Sequence, residues 1–155
     1  MIILDNKLSQ HLTCHAYNAN KCIYISCYKV EISLKPKGRK LLDIWEKIYK
    51  ASERGVDVKI LLNWNDMRRS IAKTNLYVAT NLKKHGCDVR YLKDERCCHA
   101  KMFLFDDDNL IIGSHNLSVK SVSENFEMSV LIKDREQIKE AKQIFETIFR
   151  DAKRF

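Results

Sequence analysis

The chain has 155 residues, a length that suits one folded domain with a substantial core. Apolar residues make up 45% of it and proline occurs once, which excludes a disordered chain, and no apolar run is long enough to span a bilayer. Lysine and arginine number 28 against 20 acidic residues, a net charge of +8, which favours a polyanionic partner such as nucleic acid or an anionic membrane surface.

Helices alternate with strands in the first part of the chain. Apolar residues at helical spacing predict the helices, and short buried apolar runs predict the strands. Gly55 and Gly86 each end a helix, because glycine takes the left-handed conformation after a last turn. The predicted elements, in order, are a helix at 5–18, a strand at 22–28, a lysine-rich loop at 29–38, a helix at 41–53, a strand at 56–62, a turn at 63–66, a helix at 67–85 and a strand at 87–92.

The second part of the chain is predicted to contain mostly strands. The apolar runs 103–105 and 110–112, with a polar turn between them, predict two strands joined by that turn. A short helix or loop at 118–123, a strand at 126–132 and a final helix from Asp134 follow. The whole pattern predicts an α/β fold with a mixed, mostly parallel central sheet and helices on both faces, in a single domain over residues 1–155.

The N-terminus and the six cysteines indicate the cellular compartment. The first residues lack the basic, apolar and small-residue segments of a secretory signal, so we expect a cytoplasmic protein with reduced thiols. No cysteine pair has the C-x-x-C spacing of a zinc or redox site. Cys97 and Cys98 precede His99, which allows a metal or redox role, but cysteine also packs as a small apolar residue, the interpretation we favour. We therefore expect no metal and no cofactor.

Four polar side chains are predicted to meet beside the two strands of the second part. Residues two apart on a strand point to the same face, so His99 and Lys101 project together. Ser114 and Asn116 lie just past the second strand and can return to the same end. A nucleophile or base, a cation and two small hydrogen-bonding side chains would then converge, as a phosphate site requires.

The spacing of these residues resembles the HKD signature of the phospholipase D superfamily. The pattern, with every named position filled, is His99-x-Lys101-x4-Asp106-x6-Gly113-Ser114-x-Asn116. Residues 54–60 resemble the helix–strand junction upstream of the motif in the small bacterial endonucleases of this family. Glu127 lies eleven residues after Asn116, where those nucleases carry a glutamate. The resemblance covers nearly the whole chain except the loop at 29–38, and it implies the phospholipase D/nuclease fold.

The resemblance also implies a metal-independent phosphodiesterase that works through a covalent phosphohistidine. Family members with one HKD motif, like this chain, pair two chains to complete one active site. We therefore expect a homodimer through the HKD face. One His99 would attack phosphorus while His99 of the second chain protonates the leaving oxygen.

The remaining motif residues receive supporting roles by the same resemblance. Lys101 would supply positive charge to the non-bridging oxygens of the phosphate, and Asn116 and Ser114 would donate hydrogen bonds to them. Glu127 would accept the second ring N–H of a histidine. Asp106 is grouped with these catalytic residues, but in a supporting role that orients local structure or a partner side chain.

Other residues are candidates for substrate contact. His115 and Lys120 lie next to the motif, where they are placed to touch substrate. Trp64 follows a predicted strand and would either stack a base at the rim of the cleft or cap the core. Basic residues elsewhere would either follow a nucleic-acid backbone or form an ordinary solvated surface. They are Lys35, Lys37, Arg39, Arg68, Arg69, Lys83 and Lys84.

Motif, charge and small size together favour an endonuclease acting on DNA or RNA, without stable membrane association. One alternative is a phospholipase D or a cardiolipin-type hydrolase or phosphatidyl transferase, which would need an apolar rim facing the membrane. The other is a nucleic-acid-binding protein with a vestigial site. The filled motif argues against that second alternative.

Overall fold

The computed structural model describes residues 1–64, 69–92 and 96–155, with the backbone alone at Arg69. Its helices are α1 (Leu8–Asn18), α2 (Arg39–Glu53), α3 (Arg69–Lys84), α4 (Val119–Ser123) and α5 (Arg135–Asp151). Its strands are β1 (Ile2–Leu4), β2 (Cys22–Cys27), β3 (Asp57–Leu62), β4 (Asp88–Tyr91), β5 (Met102–Phe105), β6 (Asn109–Gly113), β7 (Met128–Ile132) and β8 (Lys153–Arg154). Short 3-10 turns cover Asp5–Lys7 and Pro36–Gly38.

The strands form one sheet in the order β1-β7-β6-β5-β2-β3-β4-β8. The predicted mixed α/β fold is confirmed, but the expectation of a mostly parallel sheet is wrong. Within the described residues, β2–β3 and β3–β4 pair in parallel, and the other five pairings are antiparallel. Parallel neighbours need a long crossover, which α2 and α3 supply in the first part of the chain. In the second part, a tight turn joins β5 to β6 and forces them antiparallel.

Two strands were not predicted, and both lie at the edges of the sheet. β1 pairs with β7, and β8 pairs with β4. They have three and two residues, too few for an alternating pattern to be recognised in the sequence. The predicted turn at 63–66 and the predicted start of the third helix at 67 lie partly outside the described residues.

Helices cover both faces of the sheet, as predicted. Apolar residues of α1, α2, α3 and α4 pack on one face, where the fully buried Trp45 donates its indole N–H to the Glu31 carbonyl at 2.8 Å. On the other face, Phe145 and Phe149 of α5 pack against the strands near Tyr24. None of the helices in the described ranges is long and apolar enough to cross a membrane.

One end of the sheet gathers the segments that carry the motif. The register places Ser26 opposite Met102, Met102 opposite Ile112, and Gly113 opposite Ser129. The chain after β2, before β5, after β6 and before β7 therefore meets at this end. The antiparallel pairing of these four strands is what brings distant parts of the sequence together.

Candidate active site

His99 and Lys101 are in direct contact at this end of the sheet. The Lys101 ammonium lies 3.1 Å from Nδ1 of His99 and donates to the His99 carbonyl at 2.6 Å. An ammonium can only donate, so Nδ1 accepts and the hydrogen of a neutral ring sits on Nε2. A neutral ring in this form donates a hydrogen bond from Nε2, but it must also be protonated on Nδ1, as an imidazolium, to act as a general acid. Attack on phosphorus would instead need the hydrogen on Nδ1, and therefore an acceptor for it.

The surroundings of Lys101 are nearly closed to solvent. Its side chain is buried although it carries a charge, and this burial lowers the pKa of the Lys101 ammonium. The negative charge of Glu127 acts in the opposite direction: it favours the charged ammonium and so raises the pKa of Lys101. Because little water screens the Lys101 ammonium here, its charge attracts a bound anion strongly.

Asn116 is held so that its amide can donate. Its side-chain oxygen accepts the backbone N–H of Lys29 at 3.0 Å, while its own backbone N–H donates to the Ser121 hydroxyl at 2.8 Å. With the oxygen turned toward Lys29, the NH₂ group points away from that segment. This group is a suitable hydrogen-bond donor for a phosphate oxygen.

Ser114 differs from its expected role as a donor to substrate. Its hydroxyl donates to the Glu127 carboxylate, and its oxygen accepts the Met128 backbone N–H at 3.1 Å. The hydroxyl hydrogen is thus already committed within the protein. Ser114 orients Glu127 in this structure, which corrects the expectation that it donates to phosphate.

Glu127 is a buried and ionised carboxylate. Besides Ser114, it accepts hydrogen bonds from the Ser121 hydroxyl at 2.7 Å and from the Asn125 amide at 3.2 Å. Burial by itself would raise the pKa of Glu127, but these three hydrogen bonds outweigh it and hold the pKa below its ordinary value. No hydrogen bond joins Glu127 to His99 among the described residues, so its predicted contact with a histidine stays a prediction.

Gly113, the last residue of β6, stands at a position with no room for a side chain. A Cβ at this position would collide with the Ser129 hydroxyl and the Met128 carbonyl of β7. Glycine therefore lets β6 and β7 approach closely where Ser114 leaves the sheet. That approach brings Ser114 against Glu127.

Two functional partners were missed by the sequence reasoning. Ser121 and Asn125 both hold the Glu127 carboxylate, and Ser121 also fixes the Asn116 backbone. They lie in α4 and the turn after it, where no periodic pattern or motif position marks them. The signal available was only a cluster of small polar residues between the motif and Glu127.

His115 does not reach the site, which contradicts its predicted contact with substrate. It is fully buried, with Nδ1 at 2.7 Å from the Ser129 hydroxyl and Nε2 at 2.9 Å from the Asp5 carbonyl. Successive residues of an extended segment point in opposite directions. Between Ser114 and Asn116, His115 therefore points into the protein and joins β7 to the turn after β1.

Asp106 lies at the opposite end of β5 from Lys101. Five residue steps along an extended chain separate the two by about 16 Å. Its carboxylate accepts the backbone N–H groups of Asn20, Lys21 and Cys22 at distances of 2.7–3.2 Å, and its own φ is 55°. A direct catalytic role is therefore excluded by position. Asp106 instead closes the turn that leads into β2, which agrees with the supporting role expected for it.

Lys120 is exposed on α4, where it directly precedes Ser121.

Trp64 packs among aromatic side chains. The Trp64 ring packs on Phe155 and Tyr91, with centroids 5.5 and 6.0 Å apart. These contacts favour the core-capping interpretation of Trp64 over base stacking.

Some of the candidate backbone-binding cations have partners inside the protein. Lys37 pairs with Glu124 at 2.8 Å, and Lys83 donates to the Phe155 carbonyl at 2.6 Å. Arg68 and the side chain of Arg69 lie outside the described residues. A solvated surface explains Lys37 and Lys83 better than a nucleic-acid track does.

The cysteines near the site pack as core residues. The Cys98 thiol lies 3.2 Å from the Ser26 hydroxyl, and burial raises the pKa of Cys98 and brings that of Cys27 to about 12. In the part of the chain that the structure describes, no three His, Cys, Asp or Glu side chains are grouped as metal ligands.

Comparisons with known proteins agree with this geometry. The family described as "Cardiolipin synthase, PLD-like domain" matches residues 12–149. The phospholipase D of Rickettsia prowazekii (strain Madrid E) is 30% identical over 117 residues, which cover 76% of this chain and 50% of that protein. The chain thus spans about half the length of the curated relatives it matches.

Two solved structures match the whole chain. The phospholipase D family member Nuc from Salmonella typhimurium has a TM-score of 0.80 at 17% identity, covering 100% of this chain and 97% of that one. NucT from Helicobacter pylori has a TM-score of 0.79 at 17% identity, with coverages of 100% and 98%. At this identity the likeness concerns the fold, and it confirms the predicted one. Since the family match extends from α1 into α5, the chain belongs to the phospholipase D superfamily.

Proposed function

We propose that this chain is a metal-independent phosphodiesterase that hydrolyses DNA or RNA through a phosphohistidine formed on His99. The observation that carries the proposal is the grouping at one end of the sheet. There His99 contacts the buried Lys101, and the ionised Glu127 lies close by. The Asn116 amide is held by the segment after β2 at the same end.

The chemistry needs a nucleophile and a proton donor on opposite sides of phosphorus. Nε2 of one neutral His99 forms the N–P bond as the P–O bond to the leaving group breaks, and a second ring, protonated as imidazolium, gives the leaving oxygen its proton and becomes neutral. Water then attacks phosphorus, the N–P bond breaks, and the second imidazole takes the proton from the water. Lys101 and the Asn116 amide stabilise the charge on the non-bridging oxygens throughout.

One chain holds only half of these groups. It has a single His99, and in-line displacement needs a second imidazole on the other side of phosphorus. A second copy would supply the second imidazole. We infer a homodimer in which the two His99 side chains face each other across one phosphate.

A bare apolar surface supports this second copy. α5 packs on the face of the sheet that carries Tyr24 and Leu104, and in the described part of the chain several apolar side chains of β6, β7 and β1 on that face stay exposed. Met128 is 46% exposed, Val130 37% and Phe126 78%. The register aligns Ile2 with Val130, and Val130 with Ile112, so the side chains are contiguous. We call this surface the apolar edge face: Ile2, Leu4, Ile112, Phe126, Met128 and Val130.

The position of the apolar edge face fits a shared active site. Met128 belongs to it, and its backbone N–H bonds Ser114, which in turn holds Glu127. Phe126 precedes Glu127 directly. A second copy seated on this face would therefore come close to the group around Lys101. Its two-fold symmetry would cover the same face on both copies.

Net charge favours nucleic acid as the substrate. The chain carries +8, and a polyanion with one charge per phosphate gains most from such a surface. Phosphodiester chemistry itself does not choose between a nucleic acid and a lipid.

A second candidate function is cleavage or transfer of a phosphatidyl group. The family description names cardiolipin synthase, and the curated relative from Rickettsia prowazekii is named phospholipase D. The apolar edge face is the surface that would lie against lipid in this case. The two candidates therefore differ in what covers this face, a second copy or a membrane.

A substrate panel in EDTA tests the proposal. Labelled single- and double-stranded DNA and RNA and vesicles containing phosphatidylglycerol and cardiolipin are incubated with the chain, with and without EDTA. We expect cleavage of at least one nucleic acid at rates within about twofold in both conditions, because Lys101 and Asn116 supply the charge stabilisation. The His99→Ala variant, purified identically, controls for contaminating nucleases.

Three other outcomes of the substrate panel would point away from the proposal. Loss of activity in EDTA contradicts the metal-independent mechanism. Product from vesicles alone supports the lipid candidate. Binding of nucleic acid without turnover of any substrate supports a vestigial site.

A further inference from the structure

Tyr28 lies against both functional side chains of the motif. It is the first residue after β2, and its ring centroid is 5.1 Å from that of His99 at an interplanar angle of 53°. The Lys101 ammonium lies over the same ring, 5.5 Å from its centroid. Tyr28 is not part of the motif pattern. It is nevertheless the aromatic neighbour that His99 and Lys101 share.

The backbone of Tyr28 is fixed from both sides. Its carbonyl accepts from the amide of the fully buried Asn75 at 3.0 Å, and the oxygen of that amide accepts the Val30 N–H at 3.0 Å. Between them, the Lys29 N–H donates to Asn116. The ring therefore projects from a segment that buried hydrogen bonds tie to both α3 and the site. Such a segment is a rigid support for a neighbouring side chain.

His99 needs such a support because its own segment supplies little. Residues 96–100 form no helix or strand, and the His99 side chain is exposed. Lys101 bonds one ring nitrogen, and the Tyr28 ring restricts the imidazole from another side. The π face of Tyr28 also attracts the ammonium, which partly offsets its removal from water.

We propose that Tyr28 is a positioning residue, whose ring holds the His99 imidazole and the Lys101 ammonium in place beside the phosphate. This inference rests on the proposed function. A displacement of about 1 Å at a reacting group can lower a rate about 100-fold. Tyr28 acts through its ring, so its hydroxyl is dispensable.

The kinetic test compares Tyr28→Leu with Tyr28→Phe. We expect Tyr28→Leu to lower kcat about 10- to 100-fold with KM changed less than about threefold, since positioning affects the reacting state more than binding. Tyr28→Phe should stay within about threefold of the wild-type kcat because it keeps the ring. The control is Tyr77→Leu, a tyrosine 59% exposed on α3, which should change neither constant. An unchanged kcat in Tyr28→Leu, or an equal loss in Tyr28→Phe, would overturn the inference.

A second measurement needs no turnover and separates this inference from the proposed function. The NMR couplings between Hα and Hβ of His99 report whether its χ1 angle is held in one rotamer. We expect one rotamer in the wild type and in Tyr28→Phe, and averaged couplings in Tyr28→Leu. Unchanged couplings in Tyr28→Leu would refute positioning by Tyr28. If the wild type were inactive but showed the expected couplings, the proposed function would be wrong while the positioning of His99 by Tyr28 would stand.

Discussion

His99→Ala is expected to lower the cleavage rate at least about 10⁴-fold while nucleic-acid affinity stays within about threefold. In a homodimer this one substitution removes both the nucleophile and the proton donor. Loss of general acid–base catalysis alone costs about 10²- to 10⁴-fold, and loss of the nucleophile adds to it. Lys101 and Asn116 remain to bind phosphate. Single-turnover rates and fluorescence anisotropy with a labelled oligonucleotide measure the two quantities separately.

The control for this substitution is a second partly exposed histidine away from the site. His85 directly follows α3, where its Nδ1 lies 2.8 Å from the Glu53 carboxylate and its ring stacks on Tyr49. We expect His85→Ala to retain the wild-type rate within about twofold. If His99→Ala kept more than about one tenth of the wild-type rate, the covalent mechanism through His99 would be wrong.

Val130→Asp is expected to separate the proposed dimer and to remove at least about 99% of the activity. Val130 lies in the middle of the apolar edge face, between Ile2 and Ile112 in the register. A carboxylate there would be buried without a partner once a second copy covers the face, which costs several kcal/mol. The monomer keeps its fold because Val130 already contacts solvent. Analytical ultracentrifugation gives the assembly state, and the nucleic-acid assay gives the rate.

Leu76→Asp is the matched control for this surface substitution. Leu76 is 41% exposed, close to the value for Val130, but it lies on α3 on the other side of the sheet. We expect this variant to stay dimeric and active. A Val130→Asp chain that remains dimeric would show that the partner binds elsewhere. A monomeric Val130→Asp chain with full activity would show that one chain suffices.

Local patterns in the sequence were sufficient to predict most elements of the fold. Helical spacing identified α1, α2, α3 and α5, and apolar runs identified β2 to β7. Strand direction could not be predicted in the same way. β2 pairs with β5 across about eighty residues of sequence, and such a pairing depends on tertiary packing rather than on either strand's own pattern.

The motif spacing located the centre of the site but not the orientation of every residue. The pattern predicted that His99 and Lys101 lie side by side, and the structure contains this contact although both residues precede β5. His115 follows β6 and turns inward to Ser129 and Asp5, while the length of β5 carries Asp106 to the far end of the sheet. Membership of the motif suggested that all of these residues are close together, whereas their distances depend on where each strand ends.

The hydrogen-bond partners of the site could not be predicted from spacing at all. Ser114 was expected to face substrate, yet its hydroxyl hydrogen goes to Glu127. Tyr28 follows β2 and Asn75 lies in α3, and only the folded chain brings them beside His99 and its neighbours. These contacts depend on where loops cross, which has no periodic signal.

A mixed dimer tests the shared active site most directly. One chain is wild type and the other carries His99→Ala, and two different affinity tags isolate the mixed species. In the proposed shared site both imidazoles act on the same phosphate, so we predict that the mixed dimer retains less than about one hundredth of the wild-type rate. A mixed dimer with half of the wild-type rate would contradict a shared site, because each chain would then hold a complete site of its own.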